Sequence, residues 1–387
     1  MHVLVLPSWY PTPERPWSGI FIENQVLALA RAGVRVGVVF VEQRSVRTLS
    51  APRLRESHFQ TVSTTDRGVT MLRMKGWNTL AQTRLGARMW LALSQRLATT
   101  YVDRFGTPDV LHAHVALWAG PLGMRLRRTL ARPCVVTEHS SQILRHALDR
   151  AEQRAASRAY READAVLALS RGLMTSIESL AQVRRGAVVP ETVDFEFFTR
   201  PPVPRSRTPF TFVSVCNLVI GKRVDLLIRA FARAHRSHPA IRLVIVGMGA
   251  DAQALQRLAR ECGLETQIEF TGGLPPEQVR ERLWKANTLV LASAFETFGM
   301  VLVEALATGI PVISTRCGGP EEIVEPGLGL LVERDDEEGL SRAMLEVTEQ
   351  SYPECALRDR ALGRFGFAAV AQQLVSVYES VGGGRRA

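Results

Sequence analysis

Two glutamates that follow a predicted strand carry the most specific chemistry in the sequence. A strand predicted at 288–292 leads into a turn with Glu296, and a helix is expected to begin near Gly299, with Glu304 in its second turn. A glycine lets a ligand approach the backbone, and free amides at a helix start attract an anion such as a diphosphate. Carboxylates are strong double acceptors, so Glu296 suits sugar hydroxyls and Glu304 suits a ribose diol. For either glutamate alone, a helix cap or a solvated side chain is an equally good interpretation.

Histidines follow two further predicted strands. His112 and His114 come at the end of the strand at 109–113, and His139 follows the strand at 133–138. The carboxyl ends of parallel strands are where α/β sheets place ligands. For His114 a structural role is favoured over a binding role, and metal binding is not expected because no histidine has a second ligand at useful spacing.

The order of predicted elements indicates how these residues are positioned. The chain has 387 residues and is 46% hydrophobic, enough for two packed cores. Short β-branched runs alternate with longer amphipathic stretches, which is typical of parallel sheets covered by helices. A Pro-rich segment at 200–209 interrupts the alternation and predicts a linker. The expected domains are 1–200 and 201–365, followed by a helix and tail at 366–387.

The stretch Ser293–Ser314 resembles the Glu-x7-Glu signature of glycosyltransferase family 4. It is followed by Gly309-Ile-Pro-Val and by Gly318-Gly-Pro-Glu-Glu-Ile-Val324, which are also similar to family segments. The resemblance implies a GT-B fold, an α/β architecture of two Rossmann-like domains facing a central cleft, with a C-terminal helix that crosses back to the first domain. It also implies metal-independent transfer of a hexose-type sugar from a nucleoside diphosphate with retention of configuration, and no cofactor.

The resemblance assigns roles to individual residues. Glu296, Lys222 and His139 are implied as catalytic residues. Donor contacts are implied for Gly19, Asn217, Lys222, Arg223, Gly273, Leu274, Glu296, Phe298, Gly299, Met300 and Glu304. Asn217 stands where the family usually has Arg, and Arg223 stands where it usually has Gly. Stabilisation of the departing diphosphate is therefore expected to depend more on Lys222.

The acceptor side is less specific. Tyr10, Trp17 and His114 are candidate contacts, although aromatic residues in a Pro-rich loop equally often only pack that loop. A cell-surface glycan, a glycolipid and a small glycoside remain open as products, and UDP, GDP and ADP remain open as donor nucleotides. The alternative functions are a non-catalytic sugar-nucleotide-binding protein and an epimerase or phosphorylase of the same architecture; the Glu-x7-Glu block argues against the latter.

Charge and cysteine usage limit the partners and the compartment. The net charge of +10 lies in residues 1–200, which hold 27 Lys and Arg against 16 Asp and Glu, whereas the rest holds 21 against 22. Arg145, Arg150, Arg154, Arg158 and Arg161 are predicted to form one stripe on a helix, which is either a solvated face or a surface that attracts anionic lipid. Nucleic acid is not expected, because no aromatic residues are interleaved with the arginines. Five scattered cysteines and the absence of a signal-like or membrane-spanning segment predict a cytoplasmic protein, either free or peripheral at the inner face of the membrane.

Overall fold

The computed structural model describes residues 1–44, 58–78, 80 and 83–382, and the chain forms two compact units. Unit 1 comprises Met1–Leu169, Met174–Thr192 and the chain from Phe367 onwards. Unit 2 comprises Ser170–Leu173 and Val193–Gly366. The chain thus passes from unit 1 to unit 2 at Thr192, and the Pro-rich segment 200–209 lies within unit 2.

Unit 1 is built on an eight-stranded sheet with the order β3-β4-β2-β1-β5-β6-β7-β8. Its strands are β1 (His2–Leu6), β2 (Arg35–Arg44), β3 (Thr61–Asp66), β4 (Val69–Trp77), β5 (Val110–His114), β6 (Cys134–Glu138), β7 (Ala165–Ala168) and β8 (Gly186–Val188). All neighbours pair in parallel except β3 and β4. The strand order reverses between β1 and β5, and such a switch point is where open α/β sheets bind ligands.

Unit 2 contains a parallel six-stranded sheet with the order β11-β10-β9-β12-β13-β14. Its strands are β9 (Phe210–Val215), β10 (Ile241–Val246), β11 (Ile268–Gly272), β12 (Thr288–Leu291), β13 (Val312–Thr315) and β14 (Gly329–Val332). Counted along the unit, this is the 3-2-1-4-5-6 order of Rossmann-type sheets. The switch point lies between β9 and β12, where Leu289 is in register with Val213.

Helices connect the strands. Before residue 192 these are α1 (Ile20–Arg31), α2 (Arg84–Phe105), α3 (Gly120–Leu130), α4 (Ser141–Leu144), α5 (Arg150–Glu162) and α6 (Arg171–Leu180). After residue 192 these are α7 (Val224–Ser237), α8 (Ala252–Glu261), α9 (Pro276–Lys285), α10 (Met300–Ala307), α11 (Glu337–Glu349), α12 (Glu354–Phe365) and α13 (Phe367–Gly382). A π-helical turn at Val115–Ala119 precedes α3, and a 3-10 turn at Ile220–Lys222 precedes α7.

The C-terminal helix α13 completes the core of unit 1. Val370, Leu374 and Tyr378 are fully buried in the same cluster as Ile22 and Val26 of α1. The Tyr378 hydroxyl also lies 2.7 Å from Nδ1 of His112 on β5. The predicted return of the last helix to the first domain is therefore confirmed; the tail residues 383–387 lie outside the described part of the chain.

The prediction that one helix carries all five arginines from Arg145 to Arg161 is wrong, because the chain breaks between α4 and α5. His146 in this break has a left-handed backbone, with φ of 51°. A new helix then begins with a capping box, in which Asp149 accepts hydrogen bonds from the amides of Ala151 and Glu152. Arg145 therefore lies outside the helix that carries the other four arginines of the predicted stripe.

Candidate active site

The loop between β12 and α10 holds Glu296 in a fixed backbone position. The Glu296 amide donates to the carbonyl oxygen of Cys317 at 3.1 Å, and the Gly319 amide donates to the carbonyl oxygen of Glu296 at 2.8 Å. These two bonds join the loop after β12 to the loop after β13. The carboxylate of Glu296 is consequently positioned at the carboxyl ends of the central strands of unit 2.

The Glu296 carboxylate forms an ion pair with Lys222. The distance from Lys222 Nζ to Glu296 Oε1 is 2.5 Å, and the hydroxyl of Ser293 donates to the same oxygen at 2.7 Å. Lys222 follows β9 and Glu296 follows β12, so the pair spans the switch point of the sheet. The exposed fraction is 25% for the lysine side chain and 12% for the glutamate. Both groups are thus partly shielded from water, which strengthens the attraction between them.

Gly299 begins α10 in a conformation that favours glycine. Its φ is 98°, in the left-handed region, and it occupies the N-cap position of the helix. Gly319 packs against the same loop, because a Cβ at Gly319 would lie 2.3 Å from the Cα and carbonyl oxygen of Phe298. The first amides of a helix have no acceptor within the helix. A helix therefore starts at Gly299, and the binding of an anion by the backbone of Phe298, Gly299 and Met300 stays a prediction.

Glu304 lies one turn further along α10 and is half-buried. Desolvation by burial raises the pKa of Glu304 to about 7. Within the described residues, no cation or hydrogen-bond donor contacts this carboxylate. A hydroxyl-bearing ligand that reached Glu304 would supply the missing donors.

Glycines keep the loops after β9 and β10 in close contact. A Cβ at Gly247 would lie 1.8 Å from the carbonyl oxygen of Cys216, and a Cβ at Gly249 would lie 2.1 Å from that of Leu218. Gly273, beyond β11, lies beside Met248 of the same region. The predicted contacts of Gly273 and Leu274 with the donor stay predictions.

Asn217 and Arg223 differ from each other in their surroundings. Asn217 is exposed in the loop after β9. Arg223 is paired with Asp225, at 3.2 Å from its Nε, and with Asp335. Two carboxylates therefore occupy the guanidinium of Arg223, whereas Lys222 faces the glutamate of the candidate site.

In unit 1, Gly19 packs tightly against the loop that follows β1. Gly19 has φ of 76° and is the N-cap of α1, and a Cβ there would lie 2.5 Å from the carbonyl oxygen of Trp9. In this loop Tyr10 is 3% exposed and packs in the core, whereas Trp17 is 63% exposed. The two candidate acceptor residues of the loop thus have very different surroundings, and their roles stay predictions.

The histidine that ends β5 and the one that follows β6 form a buried chain with a glutamate. His114 Nδ1 lies 2.9 Å from His139 Nε2, and His139 Nδ1 lies 2.7 Å from Glu191 Oε1. The other oxygen of Glu191 accepts from Gln25 at 3.0 Å. Both ring nitrogens of His139 therefore have a partner in unit 1. The sequence prediction identified His139 and His114 but not this link.

Sequence reasoning missed two residues of these sites. Ser293 bonds the catalytic candidate Glu296, and its position at the end of a strand, three residues earlier, was the available signal. Glu191 stands where the family resemblance implies Asn, but its contact with His139 joins residues 52 positions apart and has no signal in the sequence. Within the described residues, no group of three His, Cys, Asp or Glu side chains has a metal-binding arrangement.

Family models cover the two units in turn. Residues 196–361 match the model of glycosyl transferases group 1, and residues 18–197 match that of glycosyltransferase family 4. The chain is also 31% identical over 311 residues to glycogen synthase of Mycobacterium tuberculosis, which covers 75% of this chain and 73% of that protein. The chain belongs to glycosyltransferase family 4. The recognition made from the Glu-x7-Glu block is therefore confirmed.

A second sequence relative and a solved structure are also similar to this glycosyltransferase. The gpi3 subunit of phosphatidylinositol N-acetylglucosaminyltransferase from Schizosaccharomyces pombe is 28% identical over 210 residues, which are 54% of this chain and 46% of that protein. Anabaena HepE in complex with UDP-glucose aligns with a TM-score of 0.70 and 19% identity over 98% of this chain and 100% of that one. This likeness confirms the predicted GT-B fold. Among the helices that the structure describes, each is too short or too polar to cross a bilayer.

Proposed function

We propose that this glycosyltransferase moves a hexosyl group from a nucleoside diphosphate sugar to an acceptor hydroxyl, with retention of configuration and without a metal ion. The observation that carries the proposal is the Lys222–Glu296 pair, held at 2.5 Å beside the N-terminus of α10. A cation, a carboxylate that can accept from sugar hydroxyls and the first amides of a helix thus lie at one sheet edge. In the donor, the diphosphate matches the cation and the amides, and the sugar hydroxyls match the carboxylate.

Charge stabilisation is the main contribution expected of these residues. When the bond from the anomeric carbon to the diphosphate oxygen breaks, negative charge grows on the diphosphate. Lys222 and the amides near Gly299 would stabilise that charge, as preorganised donors do in other enzymes. Glu304, whose carboxylate lacks a donor among the described residues, would accept the ribose hydroxyls.

The acceptor proton also needs a destination. In a front-face reaction the acceptor oxygen bonds the anomeric carbon on the side from which the diphosphate departs, so the configuration is retained. The leaving phosphate oxygen then takes the acceptor proton, and the free nucleoside diphosphate and the glycoside are the products. This route requires no separate general base.

Transfer and its stereochemistry test the proposal directly. Purified protein is incubated with UDP-, GDP- and ADP-hexoses, each with and without EDTA, and products are analysed by mass spectrometry and by NMR of the anomeric proton. UDP-glucose comes first, because HepE binds it. The expected result is an α-glycoside from an α-linked donor in the presence of EDTA. A β-glycoside would refute retention, and activity lost in EDTA and restored by Mg²⁺ or Mn²⁺ would refute metal independence.

A further inference from the structure

A pocket of about 330 Å³ lies in unit 1. Its lining comes from the loop after β1, the last residues of β2, one residue of α2 and the π-helical turn after β5. This volume is at the lower end of the range of about 300–1,000 Å³ for small-ligand sites. The pocket therefore has room for a compact group.

Indole rings form the walls of the pocket. Trp9 and Trp118 line it with 39% of each residue exposed, and the buried Trp90 lies behind Trp118. The rings of Trp90 and Trp118 are 6.5 Å apart and nearly perpendicular, at 80°. The ring nitrogen of Trp90 donates to the carbonyl oxygen of Val41 at 3.2 Å, which fixes its orientation. The partly exposed indole of Trp118 thus packs against a buried indole whose orientation is fixed.

The turn that carries Trp118 is strained. Val115 has φ of 77°, a left-handed conformation that β-branched residues rarely adopt. The turn is held by two bonds from its amides, one from Ala116 to Glu138 Oε2 at 3.1 Å and one from Ala119 to the Ser8 hydroxyl at 3.2 Å. Strained backbone of this kind persists where the surrounding structure fixes it, and it clusters at functional sites.

Two acidic and two basic side chains complete the lining: Glu14, Glu42, Arg15 and Arg44. Arg44 is buried, with its guanidinium nitrogens 3.6 Å from Glu14 Oε1 and 3.7 Å from Glu42 Oε1. A backbone hydrogen bond holds the pKa of Glu14 below its usual range, so that this carboxylate is ionised at neutral pH. The formal charges of the lining groups therefore cancel.

One oxygen of this set lacks a partner. Glu42 Oε2 is buried and accepts no hydrogen bond from any described residue. Leaving a buried acceptor without a donor is unfavourable, so a ligand that supplies a donor gains affinity. The opposite oxygen of Glu42 is close to Arg44, which leaves Oε2 as the acceptor for an incoming hydroxyl.

We infer that this pocket binds the acceptor, and that the group it holds is a neutral sugar ring whose hydroxyl reaches Glu42. The inference rests on the proposed function, because it identifies the substrate class of the second half of that reaction. A sugar ring offers apolar C–H faces to Trp9 and Trp118 and hydroxyl donors to the carboxylates. Among the described lining residues, an anionic group would meet two carboxylates with no excess of positive charge, and an acyl chain would leave the polar side chains without partners.

Direct binding to the full chain tests this inference without any need for turnover. Saturation-transfer NMR is recorded with 4-nitrophenyl glycosides of glucose, galactose, mannose and N-acetylglucosamine, and with 4-nitrophenyl glucuronide as the matched anionic ring. At least one neutral glycoside is expected to bind, and the glucuronide is expected to bind about tenfold more weakly or not at all. Glu42→Gln and Trp118→Ala should each weaken binding about tenfold, as expected for loss of a charge-assisted hydrogen bond or of a stacking surface.

Two matched variants control for changes elsewhere in unit 1. Glu178→Gln removes an exposed carboxylate and Leu85→Ala removes an apolar side chain that is 55% exposed, and neither residue lines the pocket. Both should bind the glycoside as the unmodified protein does. Thermal unfolding of each variant verifies the fold, and binding of UDP-glucose verifies the donor site independently.

The outcomes separate the acceptor inference from the proposed function. Loss of glycoside binding with normal donor binding in Glu42→Gln supports the pocket. Failure of every neutral glycoside to bind, equal binding of the glucuronide, or insensitivity to both pocket variants would overturn the inference while leaving the donor chemistry intact. Failure to bind or hydrolyse any nucleotide sugar would instead count against the proposed function.

Discussion

Binding of the nucleotide sugar should weaken below neutral pH because of the single carboxyl group of Glu304. Burial raises the pKa of Glu304 to about 7, so half of the free protein carries a neutral carboxyl group at that pH. A ribose that donates both hydroxyls requires the ionised form, because the protonated form has given one oxygen to its own proton. Each pH unit below the pKa then adds up to about 1.4 kcal/mol to the free energy of binding.

The expected size follows from the protonated fraction. Relative to pH 8.5, the affinity for UDP-glucose should fall about twofold at pH 7 and about tenfold at pH 6. Isothermal titration calorimetry of a nucleotide sugar measures this well, since its diphosphate diester does not titrate in that range. Glu304→Gln should bind more weakly at pH 8 but with little dependence on pH. Glu265→Gln, an exposed residue of unit 2, is the control and should follow the unmodified protein.

The raised pKa of Glu304 also affects the stability of the fold. Donor binding is favoured above neutral pH, whereas this contribution to stability is favoured below it. A carboxyl group whose pKa is raised from 4.5 to about 7 by folding binds more protons in the folded state between those values. The free energy of unfolding should therefore fall as pH rises from about 4.5 to 7, by at most roughly 3 kcal/mol, and partial exposure reduces this. Glu304→Gln should remove that part of the pH dependence. An affinity that is flat from pH 6 to 8.5, or the same slope in Glu304→Gln, would refute the reasoning.

Other substitutions separate the roles of neighbouring groups. Glu296→Ala should abolish transfer yet leave binding of the nucleoside diphosphate largely intact by calorimetry, since Glu296 is assigned to the sugar and Lys222 to the diphosphate; equal losses in both assays would contradict this division. Gly319→Ala should lower the melting temperature, because its Cβ would meet the backbone of Phe298 at 2.3 Å, whereas Gly363→Ala, which meets nothing within 4 Å, should not. Co-sedimentation with liposomes should require anionic lipid, fall with added salt and drop in a triple glutamine variant; binding to neutral vesicles would refute an electrostatic surface. The three residues replaced in that variant are Arg150, Arg154 and Arg158.

The elements that position the donor site were predictable because their signals are local. A buried parallel strand is a short β-branched run, and β12 (Thr288–Leu291) matches the strand predicted at 288–292 to within one residue. The turn with Glu296 and Gly299 combines a strand end, a glycine and a helix start in twelve residues. Local signals of this kind do not depend on the rest of the fold, so these elements could be located from the sequence.

Elements that depend on distant partners were not predictable. The antiparallel pair of β3 and β4 was not predicted, and no recognisable motif marks this stretch. The residues of β3 are mostly polar, and the strand depends on its pairing with β4. The break before α5 was missed because arginine spacing continues across it, although Asp149 and Glu152 carry a capping signal. Arg223 pairs with Asp335, and Trp90 packs against Trp118. Both contacts join residues far apart in the sequence, so neither could be predicted from it.

The departure of Glu191 from the family pattern is accommodated by the histidines that it faces. Burial and neighbouring charge lower the pKa of His112 to about 3 and that of His114 well below its usual value, so both rings are neutral near pH 7. An amide at position 191 could donate or accept, whereas a carboxylate only accepts, which fixes the proton of His139 on Nδ1. The nitrogen that faces His114, Nε2, is then the one that could exchange this partner for a sugar hydroxyl.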